Sequence, residues 1–156
     1  MLSGKSYVGF NIRSILMRDL ESLRSWKNIN MQCFFHNREI GEKDQEDWYK
    51  LYLTRDEDFM FIVGPPSVRI GCIGVRHLRE LSEWDIYNVI LGDLNFKGSG
   101  IMSVALIETI DFAVSLRTLP VTLRVLKTNP AIGWYKKNMF VVDCEEDSSI
   151  KMRYTG

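Results

Sequence analysis

The sequence has little that would bind it to a large charged or apolar partner. Its 20 basic and 20 acidic side chains cancel, so no overall field draws the protein onto nucleic acid or an anionic membrane. No uninterrupted apolar run approaches the roughly 18 to 20 residues of a membrane span, and the N-terminal MLSGKSYVGF lacks the apolar core of a signal peptide. These absences predict a soluble, cytoplasmic protein without nucleic-acid or membrane partners, in which any anionic ligand is held locally.

Cysteine is also scarce. Cys33, Cys72 and Cys144 are odd in number, far apart and without C-x-x-C spacing, which favours neither a disulfide framework nor a zinc site. We expect no metal site, and we interpret all three cysteines as small buried hydrophobes rather than reactive thiols.

No internal repeat, low-complexity tract or Ser/Gly-rich linker divides the 156 residues, of which 46% are hydrophobic, so residues 1–156 are predicted to form one domain with a sizeable core. Periodicity and turn residues predict strands at 7–12, 59–63, 68–78, 83–91, 120–127, 139–146 and 150–154, and helices at 14–28, 42–55, 101–116 and from 129. The predicted order is β-α-α-β-β-β-α-β-α-β-β. This is an α+β fold with a single mixed, mostly antiparallel sheet flanked by helices.

The same patterns predict which faces are buried. They are Leu16, Leu20, Leu23 and Trp26 in the first helix, Trp48, Leu51 and Tyr52 in the second, and Val121, Leu123 and Val125 in strand 120–127. In helix 101–116 the polar residues Glu108, Asp111 and Ser115 form one narrow stripe, so most of its circumference is expected to be buried. Asn129 is predicted to cap the last helix, with Pro130 at its first position.

A glycine-rich bend precedes helix 101–116, in the stretch FKGSGI. Gly98 and Gly100 leave backbone N–H groups open to a ligand, the helix N-terminus favours an anion, and Lys97 adds a positive charge. Such a nest binds phosphate oxygens, although two glycines also simply permit a tight turn. The spacing excludes a Walker loop, and a Rossmann loop would need a third glycine at Ser103.

Two ordered motifs, FKGSGIM and NPAIGWYKKNMF, resemble those of the GNAT acetyltransferases, which carry a [QR]-x-x-G-x-[GA] pyrophosphate loop and a later N-x-x-A-x-x-[FY]-Y-x-x-x-G-F segment. Residues 97–102 lie on the first motif, namely Lys97, Gly98, Ser99, Gly100, Ile101 and Met102. Asn129, Ala131, Tyr135 and Phe140 lie on the second. The chain departs from the family in three places. Lys97 replaces Gln or Arg and keeps the positive charge of Arg, the bulky Met102 replaces a small residue and could crowd the loop, and Met139 replaces a glycine.

The N-terminal third resembles the GNAT branch that contains ribosomal-protein acetyltransferases and sugar-nucleotide N-acetyltransferases, with a D-L-x-x-L-x-x-W-x-N helix. The resemblance to enzymes that acetylate an amino sugar on a nucleotide is the strongest within that branch. His36, with Phe34, Phe35 and Asn37, lies where related enzymes form the acceptor pocket, although an ordinary partly buried histidine also explains it.

The resemblance implies a binding site for acetyl-CoA and roles for several residues. Pantetheine would pair with the backbone of Val89, Ile90 and Leu91, where two parallel strands part. Tyr135 would be the general acid that protonates the departing thiolate, or would only pack beside Trp134. Asn129 would contact the cofactor, cap its helix, or do both.

The general base has three candidates, which lie on or between the strands that lead to the cleft: His77, Glu83 and Asp85. Glu83 and Asp85 alternate on one face of a strand, so both carboxylates could serve the site. A solvated sheet edge explains them equally well.

Together these patterns predict an acetyl-CoA-dependent N-acetyltransferase that acts on a primary amine of a small molecule, most simply an amino sugar or a nucleotide-linked amino sugar. The sequence is compatible with a homodimer. Two alternatives remain: a protein N-terminal acetyltransferase, and a catalytically degenerate domain that binds coenzyme A, which Met102 motivates.

Overall fold

One seven-stranded sheet runs through the computed structural model, which describes residues 5–35 and 37–156. The strands are β1 (Ile12–Ser14), β2 (Asp58–Val63), β3 (Gly71–Leu78), β4 (Glu83–Leu91), β5 (Val121–Leu126), β6 (Phe140–Glu145) and β7 (Ser149–Tyr154). The α-helices are α1 (Leu20–Ile29), α2 (Glu42–Thr54), α3 (Ile101–Leu116) and α4 (Ile132–Lys137), with 3-10 turns at Met17–Asp19, Met31–Cys33 and Leu94–Phe96. The predicted order of elements and the α+β class are confirmed.

The strands lie in the order β1-β2-β3-β4-β5-β7-β6. Every neighbouring pair is antiparallel except β4 and β5, which are parallel. A parallel connection needs a crossover, and α3 provides it. The predicted mixed, mostly antiparallel sheet is therefore confirmed, with its single parallel pair at the centre.

Helices cover the two faces of the sheet. On one face α3 packs over a cluster that includes Phe61, Ile73 and Trp84. On the other face α1 and α2 pack over Met60 and Ile62. Every residue of β2 is buried, which explains why this strand reads as the continuous apolar run FMFIV. Because fully burying one such side chain stabilises a fold by about 1.5–3 kcal/mol, β2 is a main contributor to stability.

The first predicted strand, 7–12, is wrong in position. The strand begins at Ile12, and Val8 forms only an isolated bridge with Arg13. The carboxylate of Glu108 on α3 accepts hydrogen bonds from the N–H groups of Phe10 and Asn11, at 2.8 and 3.0 Å. These N–H groups therefore bond to a side chain of α3 rather than to a neighbouring strand, and the segment bends over that helix instead of extending the sheet.

Three buried faces were predicted too broadly. Leu16, predicted on the buried face of the first helix, precedes α1 and is 47% exposed. In α2 the buried side chains are Gln45 and Tyr52, whereas Leu51 is 57% exposed. In α3, Val104 is 50% and Ile107 37% exposed, because the helix covers the sheet with one side only. A narrow polar stripe therefore did not mean that the rest of α3 was buried.

The last helix begins at Ile132, two residues later than predicted. The side chain of Asn129 accepts a hydrogen bond from the N–H of Ala131 at 2.9 Å. Asn129 thus closes a turn before the helix rather than capping it, since a residue that precedes proline favours extended backbone.

The prediction that all three cysteines are buried holds only for Cys72. Cys33 is half-buried, and Cys144 is exposed on the edge strand β6. Within the described ranges, no helix is long and apolar enough to cross a membrane.

Candidate active site

The sheet opens between its two parallel strands. β4 and β5 pair over Trp84–Ile86 and Val121–Leu123, after which both strands continue without that pairing. Val89, Ile90 and Leu91, the residues predicted to bind pantetheine, lie beyond the paired segment. The opening is thus where the sequence analysis expects it.

A bulge in β4 accompanies this opening. Cys72 pairs with Ile90 and Gly74 with Tyr87, so β4 carries one more residue than β3 over the same stretch. Asn88, inside the bulge, has a positive φ of 49°. Because a bulge bends and twists its strand, it turns the second half of β4 away from β5.

The glycine-rich bend follows β4 after the 3-10 turn Leu94–Phe96 and leads into α3. Gly98 and Gly100 have φ of 78° and 84°, a conformation that other residues rarely adopt, and a Cβ on either would meet no atom within 4 Å. The N–H groups of Gly98, Gly100, Met102 and Ser103 donate to no acceptor in the described part of the chain. Lys97 beside them is exposed. The bend is therefore an open nest of backbone donors at the N-terminus of α3.

Met102 does not crowd this nest. Its side chain is only 9% exposed and belongs to the core beneath α3. The sulfur lies 3.1 Å from the position that a Cβ on Gly71 would occupy. The missing side chain of Gly71 therefore makes room for Met102 inside the core, and the outer surface of the bend stays clear.

Tyr135 lines the cleft at the opening, together with Asn129 and Val89. Its ring packs edge-on against Trp134 and Phe140, with ring centres 5.1 and 5.9 Å away. Its hydroxyl makes no hydrogen bond to a described residue, and burial raises the pKa of the phenol above its usual value. Tyr135 is therefore a protonated donor that is held by packing and has no competing partner.

Asp85, on β4, lines the same cleft as Tyr135, on α4. It is 3% exposed and accepts hydrogen bonds from Arg76 Nε at 2.9 Å and Arg124 Nη1 at 3.2 Å. Burial raises the pKa of its carboxyl group, and the two guanidinium groups oppose that rise without cancelling it. The cleft thus holds a carboxylate whose proton affinity exceeds that of an ordinary aspartate.

The other two base candidates lie outside the cleft. Glu83 is paired with Arg124 at 2.8 Å and Lys151 at 3.0 Å. Burial opposes its ionisation, but these hydrogen bonds outweigh that effect and lower its pKa. His77 Nδ1 lies 2.6 Å from Glu57 Oε2. Neither lines the cleft, so Asp85 is the one base candidate of the three that shares the cleft with Tyr135.

A second cavity continues the cleft between α1, α2 and the sheet. The cleft measures about 550 Å³ and the second cavity about 270 Å³, and both are lined by Lys27, Trp48 and Asn88. Phe34 and Phe35 line the cleft, whereas His36 lies outside the described residues. In those residues no group of three His, Cys, Asp or Glu side chains is placed to hold a metal ion.

Sequence reasoning missed several side chains that line these cavities: Lys27, Arg38, Arg76, Tyr87 and Arg124. They come from five separate segments and match no local motif. One indirect signal was Gly74, where a Cβ would come within 2.7 Å of the Tyr87 ring. A glycine inside a strand pattern indicates such a close approach.

The fold matches those of several solved proteins. Spermidine N-acetyltransferase from Vibrio cholerae, in complex with CoA and spermine, has a TM-score of 0.75 and 17% identity over 91% of this chain and 92% of that chain. FdhC, a nucleotide-linked sugar GNAT solved in the apo form, has a TM-score of 0.73 and 20% identity over 94% of this chain and 90% of that chain. A domain from Methanocaldococcus jannaschii has a TM-score of 0.75 and 16% identity, covering 91% and 96%.

No protein-family model and no curated protein sequence matches the chain. At identities of 16 to 20% the structural likeness establishes the fold. The fold expected from the two ordered motifs is confirmed in this way.

Proposed function

We propose that this chain, which has the GNAT fold, is an N-acetyltransferase that moves an acetyl group from acetyl-CoA to a primary amine of a small molecule. One observation carries the proposal: the cleft where β4 and β5 part is lined by both Tyr135 and Asp85, and an open nest of backbone donors lies at the N-terminus of α3. A solved protein with the same fold is described in complex with CoA, which supports the same donor here.

The chain's own residues fit acetyl-CoA in two places. The pyrophosphate would accept hydrogen bonds from the nest at residues 98–103, where the missing Cβ atoms of Gly98 and Gly100 leave room for its approach. The free donors are the N–H groups of Gly98, Gly100, Met102 and Ser103, because those of Ser99 and Ile101 already donate within the bend. Lys97 adds charge from the rim. Pantetheine would extend the sheet along Val89, Ile90 and Leu91, with Asn129 across the gap.

The transfer requires a C–N bond to form and the thioester C–S bond to break. Asp85 takes a proton from the attacking amine, directly or through one water, and Tyr135 gives its phenolic proton to the departing sulfur. Holding the two reactants in line at the opening can supply roughly 7–11 kcal/mol of the barrier. We assign the base to Asp85 rather than to Glu83 or His77, because only Asp85 lines the cleft.

For the acceptor we propose an amino sugar, free or linked to a nucleotide. The cleft of about 550 Å³ has aromatic walls from Phe34, Trp48 and Tyr87 beside charged groups, a lining that suits a sugar ring with polar substituents. One protein with this fold is described as a nucleotide-linked sugar GNAT. Another is a spermidine acetyltransferase, so the fold alone does not decide the substrate.

The proposal is tested by measuring release of free thiol from acetyl-CoA with a panel of amino sugars, polyamines and peptides with free N-termini. We expect turnover with amino sugars that Asp85→Asn abolishes. Turnover with peptides alone would support an N-terminal acetyltransferase instead. Binding of acetyl-CoA without transfer to any amine would make the chain a degenerate coenzyme A-binding domain.

A further inference from the structure

Two basic side chains line the cavity between α1, α2 and the sheet, and neither has a role in the chemistry proposed above. Lys27 projects from α1, and Arg38 lies on the segment between α1 and α2. Lys27 also lines the cleft that contains Tyr135 and Asp85. The two cations therefore lie on a surface continuous with the site of transfer.

Lys27 is held in place by one hydrogen bond, and its ammonium group has further N–H donors for a ligand. Its Nζ donates to Asn88 Oδ1 at 2.9 Å, on the β4 bulge, and lies 5.0 Å from the centre of the Phe34 ring. No carboxylate among residues 5–35 and 37–156 lies within ion-pair distance of it. An ammonium has three donors, so two remain for a ligand in the cavity.

Arg38 is exposed, and its guanidinium forms neither an ion pair nor a hydrogen bond with a described residue. Two acidic side chains line the cavities, and one of them, Asp85, is paired with Arg76 and Arg124. Asp44 accepts the N–H of Gly41 at 3.1 Å, a bond that leaves its negative charge in place. The second cavity is therefore lined by two basic side chains and one carboxylate, which gives it an excess of positive charge.

We propose that Lys27 and Arg38 form a subsite for an anionic group of the acceptor, a phosphate or a carboxylate, while its amine lies at Asp85. The inference rests on the proposed function and narrows its substrate class to amines that also carry negative charge. Arg offers a planar fork that matches two anionic oxygens, and Lys offers a point charge. A polyamine carries only positive charge, so this cavity disfavours it.

The first test measures anion binding without turnover. Inorganic pyrophosphate is titrated calorimetrically into protein saturated with coenzyme A, so that the nest at residues 98–103 is occupied. We expect binding that Lys27→Met and Arg38→Met each weaken by about 10- to 100-fold, the effect of losing one charged hydrogen bond. Lys50→Met, on the outer side of α2, is the matched control and leaves it unchanged.

The second test compares acceptors in the transfer reaction: glucosamine 1-phosphate, glucosaminic acid, glucosamine and spermidine. Higher kcat/KM for the phosphate or for the carboxylate than for glucosamine identifies which anion the subsite takes. Arg38→Met then raises KM for that anionic acceptor and leaves kcat and the KM of acetyl-CoA within about twofold. Because Arg38 is exposed, this variant is expected to fold normally.

The inference is overturned if pyrophosphate does not bind to the CoA-saturated protein, or if Arg38→Met and Lys50→Met behave alike. Equal use of glucosamine and its charged derivatives would also overturn it. Failure of the proposed function looks different, since acetyl-CoA would then not bind or no amine would be acetylated.

Discussion

The coenzyme side and the acceptor side of the cleft are built in opposite ways. On the coenzyme side the predicted contacts come from contiguous backbone, in residues 89–91 and 97–102. On the acceptor side the lining comes from α1, the segment after it, α2, β3, β4 and β5. The first side depends on backbone conformation and the second on side chains that only the folded sheet brings together. Substitutions should therefore affect the two sides through different physical causes.

The largest effect is expected where the two sides meet, at Tyr135. Replacing it with Phe removes the proton donor but keeps the ring that packs against Trp134 and Phe140. We expect kcat to fall by about 10²- to 10⁴-fold, the usual contribution of a general acid. Thiol-release kinetics measure this fall, and thermal unfolding should be unchanged because the hydroxyl has no protein partner. Tyr154→Phe, on β7, is the control, and an equal fall in both variants would contradict the role.

The helix α1 lines the acceptor side, and the residue that precedes it should make its position sensitive to acid. Asp19, fully buried before α1, accepts hydrogen bonds from Arg13 and Arg69. Burial opposes its ionisation, yet these bonds lower its pKa to about 2. Since the unfolded value is higher, the charged form contributes about 2 kcal/mol of stability above pH 4, lost as pH falls from about 4 to 2.

Asp19→Asn should therefore lower the free energy of unfolding by about 2 kcal/mol at pH 7 and by much less at pH 2. Denaturant unfolding at both pH values measures this. A difference that stays constant with pH would show that the charge of Asp19 is not what secures α1.

A smaller effect is expected from backbone strain on the coenzyme side. Gly100→Ala places a side chain at a φ of 84°, which costs about 1–2 kcal/mol. It also puts a Cβ into the nest, so the Kd of acetyl-CoA should rise by about tenfold. Gly133→Ala is the matched control, since a Cβ there also meets nothing within 4 Å but its φ is not positive. Equal changes in the Kd of acetyl-CoA for the two variants would contradict the role of the nest in binding the coenzyme.

The smallest effect is expected at Lys97, which is exposed on the rim of the nest. Lys97→Met should weaken acetyl-CoA binding by less than about fivefold, and by less still at high salt, because exposed charge pairs contribute about 0–1 kcal/mol. Calorimetric titration at two salt concentrations measures this, with Lys43→Met on α2 as the control. A large, salt-independent loss would mean that Lys97 is buried against the ligand.

Local patterns were sufficient to predict β2, β4, α3 and the glycine bend, because each depends on neighbours in the chain. They did not predict where Met102 points, since that depends on Gly71, 31 positions earlier. Nor did they separate Asp85 from Glu83, which share a strand face and differ only in distance from the opening. Lys27 and Arg38 were missed because nothing in their own segments marks them as parts of one cavity.

The most direct test of the central claim is thermal unfolding of the protein with acetyl-CoA. At 100 times its Kd the ligand should stabilise the fold by about 2.7 kcal/mol, which for a domain of this size raises Tm by roughly 5–10 °C. Gly100→Ala should show a smaller rise at the same concentration. An unchanged Tm of the wild-type protein at millimolar acetyl-CoA would contradict the claim that the opening between β4 and β5 binds the coenzyme.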